Sequence, residues 1–580
     1  MRDSPRRSRS RYVVLAAIIT WTLGGSTSPV AQQPFDKLDP LLRIIVTQSV
    51  GRSPVLIQGS LGPLLDQLII AAGGTLGLPL PLINARAANL PNAAILTLAS
   101  SLLVERIAFD RPTVGGLERT GATIGAAAVR QNFANDGRGV GIALIDSGVT
   151  AWHDDLTSVE NRSSQRIARF VDFVNGRTTP YDDFGHGTHV AGIIAGNGYD
   201  SDGARSGIAP AATLTALKVL DAGGAGRISH VIAALGFVLD NQRALNIRVV
   251  NMSVGAAVSE SYTSDMLARA TRRVVDRGIV VVAAAGNAGV SSSGMTQYGS
   301  ITAPGNAPWV LTVGAASHNG TVDRADDRVA AFSSRGPTYI DRAAKPDLVA
   351  PGVGIESLSN PDSELYRSRS AYLLPGTVAT SYVPYLSLSG TSMAAPVVAG
   401  TIALMLQANP ALTPNAVKAI LQYTAESHPD ADWMTQGAGF LDAYGAVVVA
   451  RAFASSGAPY TTSASWSGQV LWGNRLLRQT LPPPTATVWQ NGLLWGVVTG
   501  AKGSALPWGS ACTVETCPFQ NIVWGDQCSG ADCRGDTWTT SQTVVWGTDT
   551  RQTVVWGTTN GDTVVWGTGT PDPVIWPSTQ

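Results

Sequence analysis

The run Ile279-Val-Val-Val-Ala-Ala-Ala285 holds no polar residue in seven positions, so a strand built from it must be buried on both faces. It is one of five strand-like segments, at 139–145, 213–220, 248–253, 279–285 and 309–315. Stretches with helical periodicity lie among and after them, at 186–195, 228–244, 265–277, 392–407 and 414–423. Strands alternating with helices predict an α/β fold, a parallel sheet with helices on both faces. In such sheets ligands collect at the carboxyl ends of the strands, which is where chemistry is to be sought.

That block fills only the middle of a 580-residue chain, which is long enough for about three to five domains. Residues 1–31 carry five arginines, an eleven-residue apolar stretch at 13–23 and then small residues through Ala31. This is the pattern of a secretory signal peptide, and eleven residues are about half of what a bilayer requires. The other long uncharged apolar stretch, 68–83, is broken by Gly73, Gly74, Pro79 and Pro81, so no transmembrane segment is expected. Residues 32–115 show short apolar runs at 54–58, 93–99 and 104–108 and a helical pattern over 61–72, a small α+β unit.

Beyond residue 454 the texture turns to Thr, Gly, Ser, Pro and Trp, and eleven of the fifteen tryptophans lie there. A Val/Leu-Trp-Gly unit recurs, and its last three copies, at 545–547, 555–557 and 565–567, are spaced ten residues apart. That period fits one strand and one turn per repeat, so 455–580 reads as a β-rich Trp-Gly repeat region. Its tryptophans either pack the repeats together or contact a cell-surface or polysaccharide ligand. All four cysteines, Cys512, Cys517, Cys528 and Cys533, fall in it. In an exported chain two disulfides are favoured over a zinc site, whose knuckles are usually tighter. Basic and acidic residues balance at 41 each, and no basic face offers itself to nucleic acid.

Four segments of the middle block carry chemistry. Ile142-Ala-Leu-Ile-Asp146-Ser-Gly-Val149 ends a buried strand in an aspartate, which elsewhere more often caps a turn. Asp183-Phe-Gly-His186-Gly-Thr-His189 opens a helix with a histidine. His186 and His189 could alternatively be a metal pair, but no third ligand stands nearby. Gly286-Asn287 follows the apolar run and places an amide donor at the sheet edge, or simply a turn. Leu388-Ser-Gly-Thr-Ser392-Met-Ala-Ala-Pro starts an apolar helix, where a serine serves as an N-cap or as a nucleophile. Together Asp146, His186, Asn287 and Ser392 supply what acyl transfer needs: an orienting carboxylate, a base, an oxyanion donor and a nucleophile.

With these motifs the chain resembles the subtilisin-type (subtilase) serine endopeptidases, whose triad runs in the order Asp, His, Ser. Val249-Val-Asn-Met-Ser-Val-Gly255, Phe332-Ser-Ser-Arg-Gly-Pro337 and Lys345-Pro-Asp-Leu-Val-Ala-Pro-Gly352 strengthen the likeness, which covers about 137–450. The resemblance implies a subtilisin-like fold and a secreted endopeptidase acting on polypeptide substrates, with no cofactor required for chemistry. It implies substrate binding along Ser253, Val254 and Gly255 and against Ala284, Ala285 and Gly286. It also makes 32–115 a propeptide that inhibits and chaperones a catalytic domain at 116–454, with self-cleavage between Asp110 and Ala128. Structural calcium is common in the family, but there is no EF-hand pattern and the sequence places no metal ligands. Residues 353–388 read as an extended loop, and 455–580 as dispensable for peptide hydrolysis. The competing reading is an inactive subtilase scaffold that binds surfaces through its Trp-rich repeats. A binder, however, has no need to keep all four catalytic groups.

Overall fold

The computed structural model describes residues 33–46, 51–59, 62–110, 112–115, 123–150, 152–159, 161–291, 295–319, 324–455 and 459–472, with short stretches beyond. The signal peptide, the four cysteines and most Trp-Gly copies expected from the sequence lie outside the described residues.

The central sheet has strands in the order Arg328–Val329, Leu311–Ser317, Val280–Ala284, Ile247–Met252, Gly141–Asp146, Thr213–Lys218 and Ile167–Asp172, with Leu348–Pro351 beside Leu311–Ser317. Every pairing is parallel except the one to Arg328–Val329. From Gly141–Asp146 the chain crosses to the edge strand Ile167–Asp172, returns to place Thr213–Lys218 between the two, and then builds outward on the other side. The strand order therefore reverses there, which opens a crevice at that strand's carboxyl end.

Two-sided burial follows from the sequence. Ile142 and Leu144 pack with the helices His186–Ala195 and Thr391–Ala408, whereas Ala143 and Ile145 pack with Ile228–Asn241 and Met266–Asp276. Thr391–Ala408 is apolar enough to cross a membrane, but 89% of it is buried inside the protein, and its composition is that of a core helix. The five expected strands and five expected helices all form, with ends shifted by at most three residues.

Several elements were not foreseen. Ile167–Asp172 lies at the sheet edge with Ala168 and Arg169 exposed and only Phe170 and Asp172 buried, which hides its apolar signal. Ala443–Ala454 contains Val447-Val-Val449, a β-branched run that argues for strand; Asp442, whose side chain accepts from Gly445 N, starts it as a helix. The expected loop 353–388 is instead organised, with strands Ile355–Leu358, Leu373–Leu374 and Tyr385–Leu388 and the helix Glu364–Ser368.

Residues 33–110 form a separate antiparallel sheet, ordered Thr75–Leu80, Ala85–Pro91, Arg52–Gly59, Val104–Phe109, carrying the helices Pro63–Ala71 and Asn92–Ala99. Strand alternation divides its faces. Val55, Ile57 and Ile107 face its own helices, while Leu56, Ala85, Ala87 and Ala108 join the core containing Ile228–Asn241 and Met266–Asp276. Gln58 and Arg106 on that second face meet Arg269 and Glu260. Asp110 accepts from Ser229 N at 2.9 Å and from Ser229 Oγ, capping the helix Ile228–Asn241, which has no cap of its own.

Chain beyond 454 also enters the body. Trp466 Nε1 donates to Asp442 Oδ2 at 2.8 Å, Leu471 N donates to the Gln422 side chain, and Val470, Leu471 and Trp489 are buried. Farther on, Val554–Gly557 and Thr563–Trp566, from consecutive Trp-Gly copies, pair antiparallel. These contacts carry the packed body past residue 454. A chain ending at 457 loses three buried apolar side chains, at roughly 1.5–3 kcal/mol each. Its urea midpoint is expected to fall well below that of the full chain. Equal midpoints for the 457 chain and the full chain would show that the contacts contribute nothing.

Candidate active site

Asp146 is the last residue of its strand and is completely buried. Its Oδ1 accepts from Ser147 N at 2.7 Å and lies 2.7 Å from His186 Nδ1. A carboxylate only accepts, so Nδ1 carries the proton and the neutral ring keeps its lone pair on Nε2.

A second buried carboxylate holds this pair in place. Asp182 Oδ1 accepts from Ser147 Oγ and Gly185 N, both at 2.8 Å. Its Oδ2 accepts from Thr188 N at 2.8 Å and Thr188 Oγ1 at 2.7 Å, and Gly187 N donates to Ser147 Oγ at 2.8 Å. The strand end and the helix start are thereby tied to one anchor. Two glycines make the approach feasible. Gly185 has φ +100°, and a Cβ on Gly187 would lie 2.0 Å from the Gly148 carbonyl oxygen.

His189 belongs to the packing. Burial and the neighbouring His186 push its pKa down to about 3, and its Nε2 faces the Ile355 and Leu386 carbonyls at 3.2 and 3.0 Å. His186 Nδ1 is taken by Asp146, and among the described residues no carboxylate or cysteine joins the two rings in a group of three close ligand atoms.

Ser392 lies one residue inside the helix Thr391–Ala408, whose N-cap is Gly390, so capping does not account for it. Its Oγ donates to Ser253 O at 3.0 Å, and Ser253 Oγ donates to Ser392 O at 2.7 Å. The second bond depends on Pro396. Proline has no N–H to occupy the carbonyl four residues earlier, which leaves Ser392 O available to Ser253. The nucleophile candidate is thus fixed to the Ser253–Gly255 segment.

Asn287 is exposed just beyond Val280–Ala284. Its Oδ1 accepts from Thr391 N at 2.9 Å and Thr391 Oγ1 at 3.0 Å. A backbone N–H can only donate, so the amide oxygen is fixed toward Thr391 and the Nδ2 donors turn away from it. Thr391 Oγ1 also accepts from Gly286 N at 3.1 Å. Asn287 and Ser392 are therefore linked through one threonine.

Val254–Gly255 forms an edge strand beside the Ala284–Gly286 segment. Thr302 sits between them: a Cβ on Gly255 would meet Thr302 Oγ1 at 2.5 Å, and one on Gly286 would meet Thr302 Cγ2 at 2.9 Å. Ala284 and Ala285 are buried, and Ala285 O accepts from Thr302 N. The strand Pro112–Gly115 pairs antiparallel with both neighbours, Gly115 with Val254 on one side and Thr113 with Gly226 on the other. An extended segment of the chain itself thus fills the groove between Val254–Gly255 and Ala225–Arg227.

Sequence reading missed Thr391, Thr302, Asp182 and the Ala225–Arg227 strand. Asp182 stands one residue before the His186 motif and Thr391 within the Ser392 motif, and both could have been found there. Thr302 and Ala225–Arg227 carry no local signal, because only tertiary contact brings them to the groove.

Comparison with known proteins agrees with this geometry. The family model described as the subtilase family, Peptidase_S8, matches residues 137–447, more than half of the 580-residue chain. Serine protease AprX of Bacillus subtilis (strain 168) is 36% identical over 372 residues, covering 63% of this chain and 79% of AprX. Subtilisin of Bacillus pumilus is 37% identical over 290 residues, covering 50% of this chain and 84% of that one. Fervidolysin from Fervidobacterium pennivorans, described as a keratinolytic enzyme related to subtilisin, superposes with a TM-score of 0.53 at 22% identity. That alignment spans 73% of this chain and 63% of fervidolysin, and it bears on the fold alone. The chain belongs to the subtilase family and is a subtilisin-type serine protease.

Proposed function

We propose that the chain is a secreted endopeptidase made as a zymogen, in which Asp146 orients His186, His186 deprotonates Ser392, and Asn287 Nδ2 donates to the oxyanion. The observation that carries this reading is the antiparallel strand Pro112–Gly115 lying between Val254–Gly255 and Ala225–Arg227. A polypeptide substrate held by strand addition would run through the same groove. The chain's own segment is bound there as a substrate would be, next to the Ser253–Ser392 linkage.

In this reading Ser253, Val254 and Gly255 pair with the substrate backbone. Ala284, Ala285 and Gly286 flank the side chain next to the cleaved bond. Residues 32–115 are the inhibitory propeptide, docked through Leu56, Gln58, Arg106 and Asp110, and self-cleavage falls in the Gly-rich stretch after Gly115. Residues 1–31 direct export, and the Trp-Gly tail serves outside the catalytic step as packing or surface contact. Subtilases need no cofactor for catalysis.

Chemistry follows from the hydrogen bonds. The His186 Nε2 lone pair takes the Ser392 proton as Oγ attacks the carbonyl. Asp146 stabilises the imidazolium, and the negative charge on the carbonyl oxygen meets Asn287 Nδ2 and the amides at the start of the Thr391–Ala408 helix.

Two outcomes test this. The Ser392→Ala chain is expected to be secreted with residues 32–115 still attached, and to lose roughly a million-fold in kcat, the figure for removing the equivalent group in subtilisin. N-terminal sequencing and peptide hydrolysis read both, and normal processing with full activity would refute the assignment. Asn287→Ala should lose about 3 kcal/mol of transition-state stabilisation, as for one oxyanion-hole donor in subtilisin, with KM nearly unchanged. A loss expressed mainly in KM would make Asn287 a ground-state binding group.

A further inference from the structure

Two buried carboxylates hold His186, and their hydrogen bonds make both of them anions. Asp146 Oδ1 accepts from His186 Nδ1 and Ser147 N, while its Oδ2 is buried with no hydrogen-bond partner. Asp182 accepts two hydrogen bonds at each oxygen, so no lone pair is left for a proton. Burial pushes the Asp182 carboxyl up, and its donors and the charge of Lys218 work against that push. Among the described residues neither carboxylate lies within ion-pair distance of a lysine or arginine. Buried negative charge of this kind is costly unless a cation stands near.

Lys218 supplies that cation. It ends the strand Thr213–Lys218 beside Asp146 in the parallel register, on backbones about 4.8 Å apart, and its side chain is completely buried. Nζ donates to Ser147 O at 2.5 Å, to Asp183 Oδ1 at 2.6 Å and to Leu220 O at 2.8 Å. Three acceptors use three N–H groups, which only an ammonium provides. The first acceptor follows Asp146 directly, and the second stands three residues before His186. Lys218 is thus a second clamp on the pair, separate from the one that Asp182 makes through Ser147 Oγ.

We infer that Lys218 is a positioning residue of the triad: its ammonium ties the turn after Asp146 to the segment before His186 and offsets the two buried carboxylates, so that His186 remains a neutral base to lower pH. The inference rests on the reading of His186 as the base. Losing a positive charge here favours the imidazolium, and losing a negative one disfavours it.

The other titratable groups around the pair leave this balance in place. His189, one turn along the helix, is pushed down to about 3 by burial and by His186, and so is neutral. Tyr181, whose ring lies 4.9 Å from Nζ, is pushed up to about 12 by burial, and its hydroxyl donates to Asp172. Burial also pushes His230 down. Glu364, whose N–H meets Asp183 O, is matched by Arg367 at 3.3 Å. The helix Thr391–Ala408 brings no charged side chain.

The test is the pH profile of kcat/KM on a short peptide substrate for the processed enzyme, Lys218→Met and Asp183→Asn, with melting midpoints alongside. The acid limb of such a profile reports protonation of the base in the free enzyme. Methionine keeps most of the apolar stem and removes the charge. Its limb is expected to move to higher pH by roughly half a unit or more, about a threefold lower kcat/KM on the acid side beyond any loss at the plateau. Asp183→Asn removes an anion, while its amide oxygen can still accept from Nζ, so its limb is expected to move to lower pH. A purely structural role would lower the plateau and the midpoint and leave the limbs where they are. Unmoved limbs, or limbs displaced in the same direction, overturn the inference. If Lys218→Met does not fold, Asp183→Asn decides: a downward shift supports the inference and no shift overturns it. A parent with no acid limb in the imidazole range would refute His186 as the base, and this inference with it.

Discussion

The 2.7 Å contact between Asp146 Oδ1 and His186 Nδ1 is the constraint around which the rest of the molecule is organised. It joins a strand end to a helix start across 40 residues of sequence, with both partners fully buried. A lone buried carboxylate would be costly. Ser147 N gives Asp146 a second donor, and Asp182 holds Ser147 and the first turn of the His186 helix from behind. The two-sided sheet core keeps the strand from shifting, and the close passage of Gly187 over Gly148 keeps the helix near. Imidazole tautomer and position are thereby set before any substrate arrives.

The other half of the site is built by a different device. Pro396 frees the Ser392 carbonyl for Ser253, and Thr391 fixes the orientation of the Asn287 amide. These links bind the Ser392 helix to the Val254–Gly255 edge and to the loop after Val280–Ala284. In the proposed reading the groove between Val254–Gly255 and Ala225–Arg227 takes substrate as it takes Pro112–Gly115, through main-chain pairings. Its present occupant, Pro112–Gly115, is held by the sheet of residues 33–110, whose apolar face continues the core of the helices Ile228–Asn241 and Met266–Asp276. Inhibition by the chain's own N-terminal part, as proposed, needs no chemistry beyond that used for substrate.

Much of this was legible in the sequence where burial leaves a mark. The 279–285 run gives its strand to within a residue because both faces are apolar. His186 and Ser392 stand at the starts of helices whose apolar faces are plain. Legibility fails where a single element must be read against partners far away. Ile167–Asp172 is half exposed, and Val447-Val-Val449 imitates a strand until Asp442 caps it as a helix. The three-stranded set containing Pro112–Gly115 joins segments more than a hundred residues apart, so no local pattern could announce it.

The most direct test of the account is steady-state kinetics of Asp146→Asn on a peptide substrate, with the melting midpoint measured alongside. An asparagine keeps the shape of the aspartate but can hold the wrong imidazole tautomer, so kcat is expected to fall about ten-thousand-fold with KM and folding little changed. A variant that folds normally and turns over within tenfold of the parent would contradict the claim that Asp146 sets the state of His186.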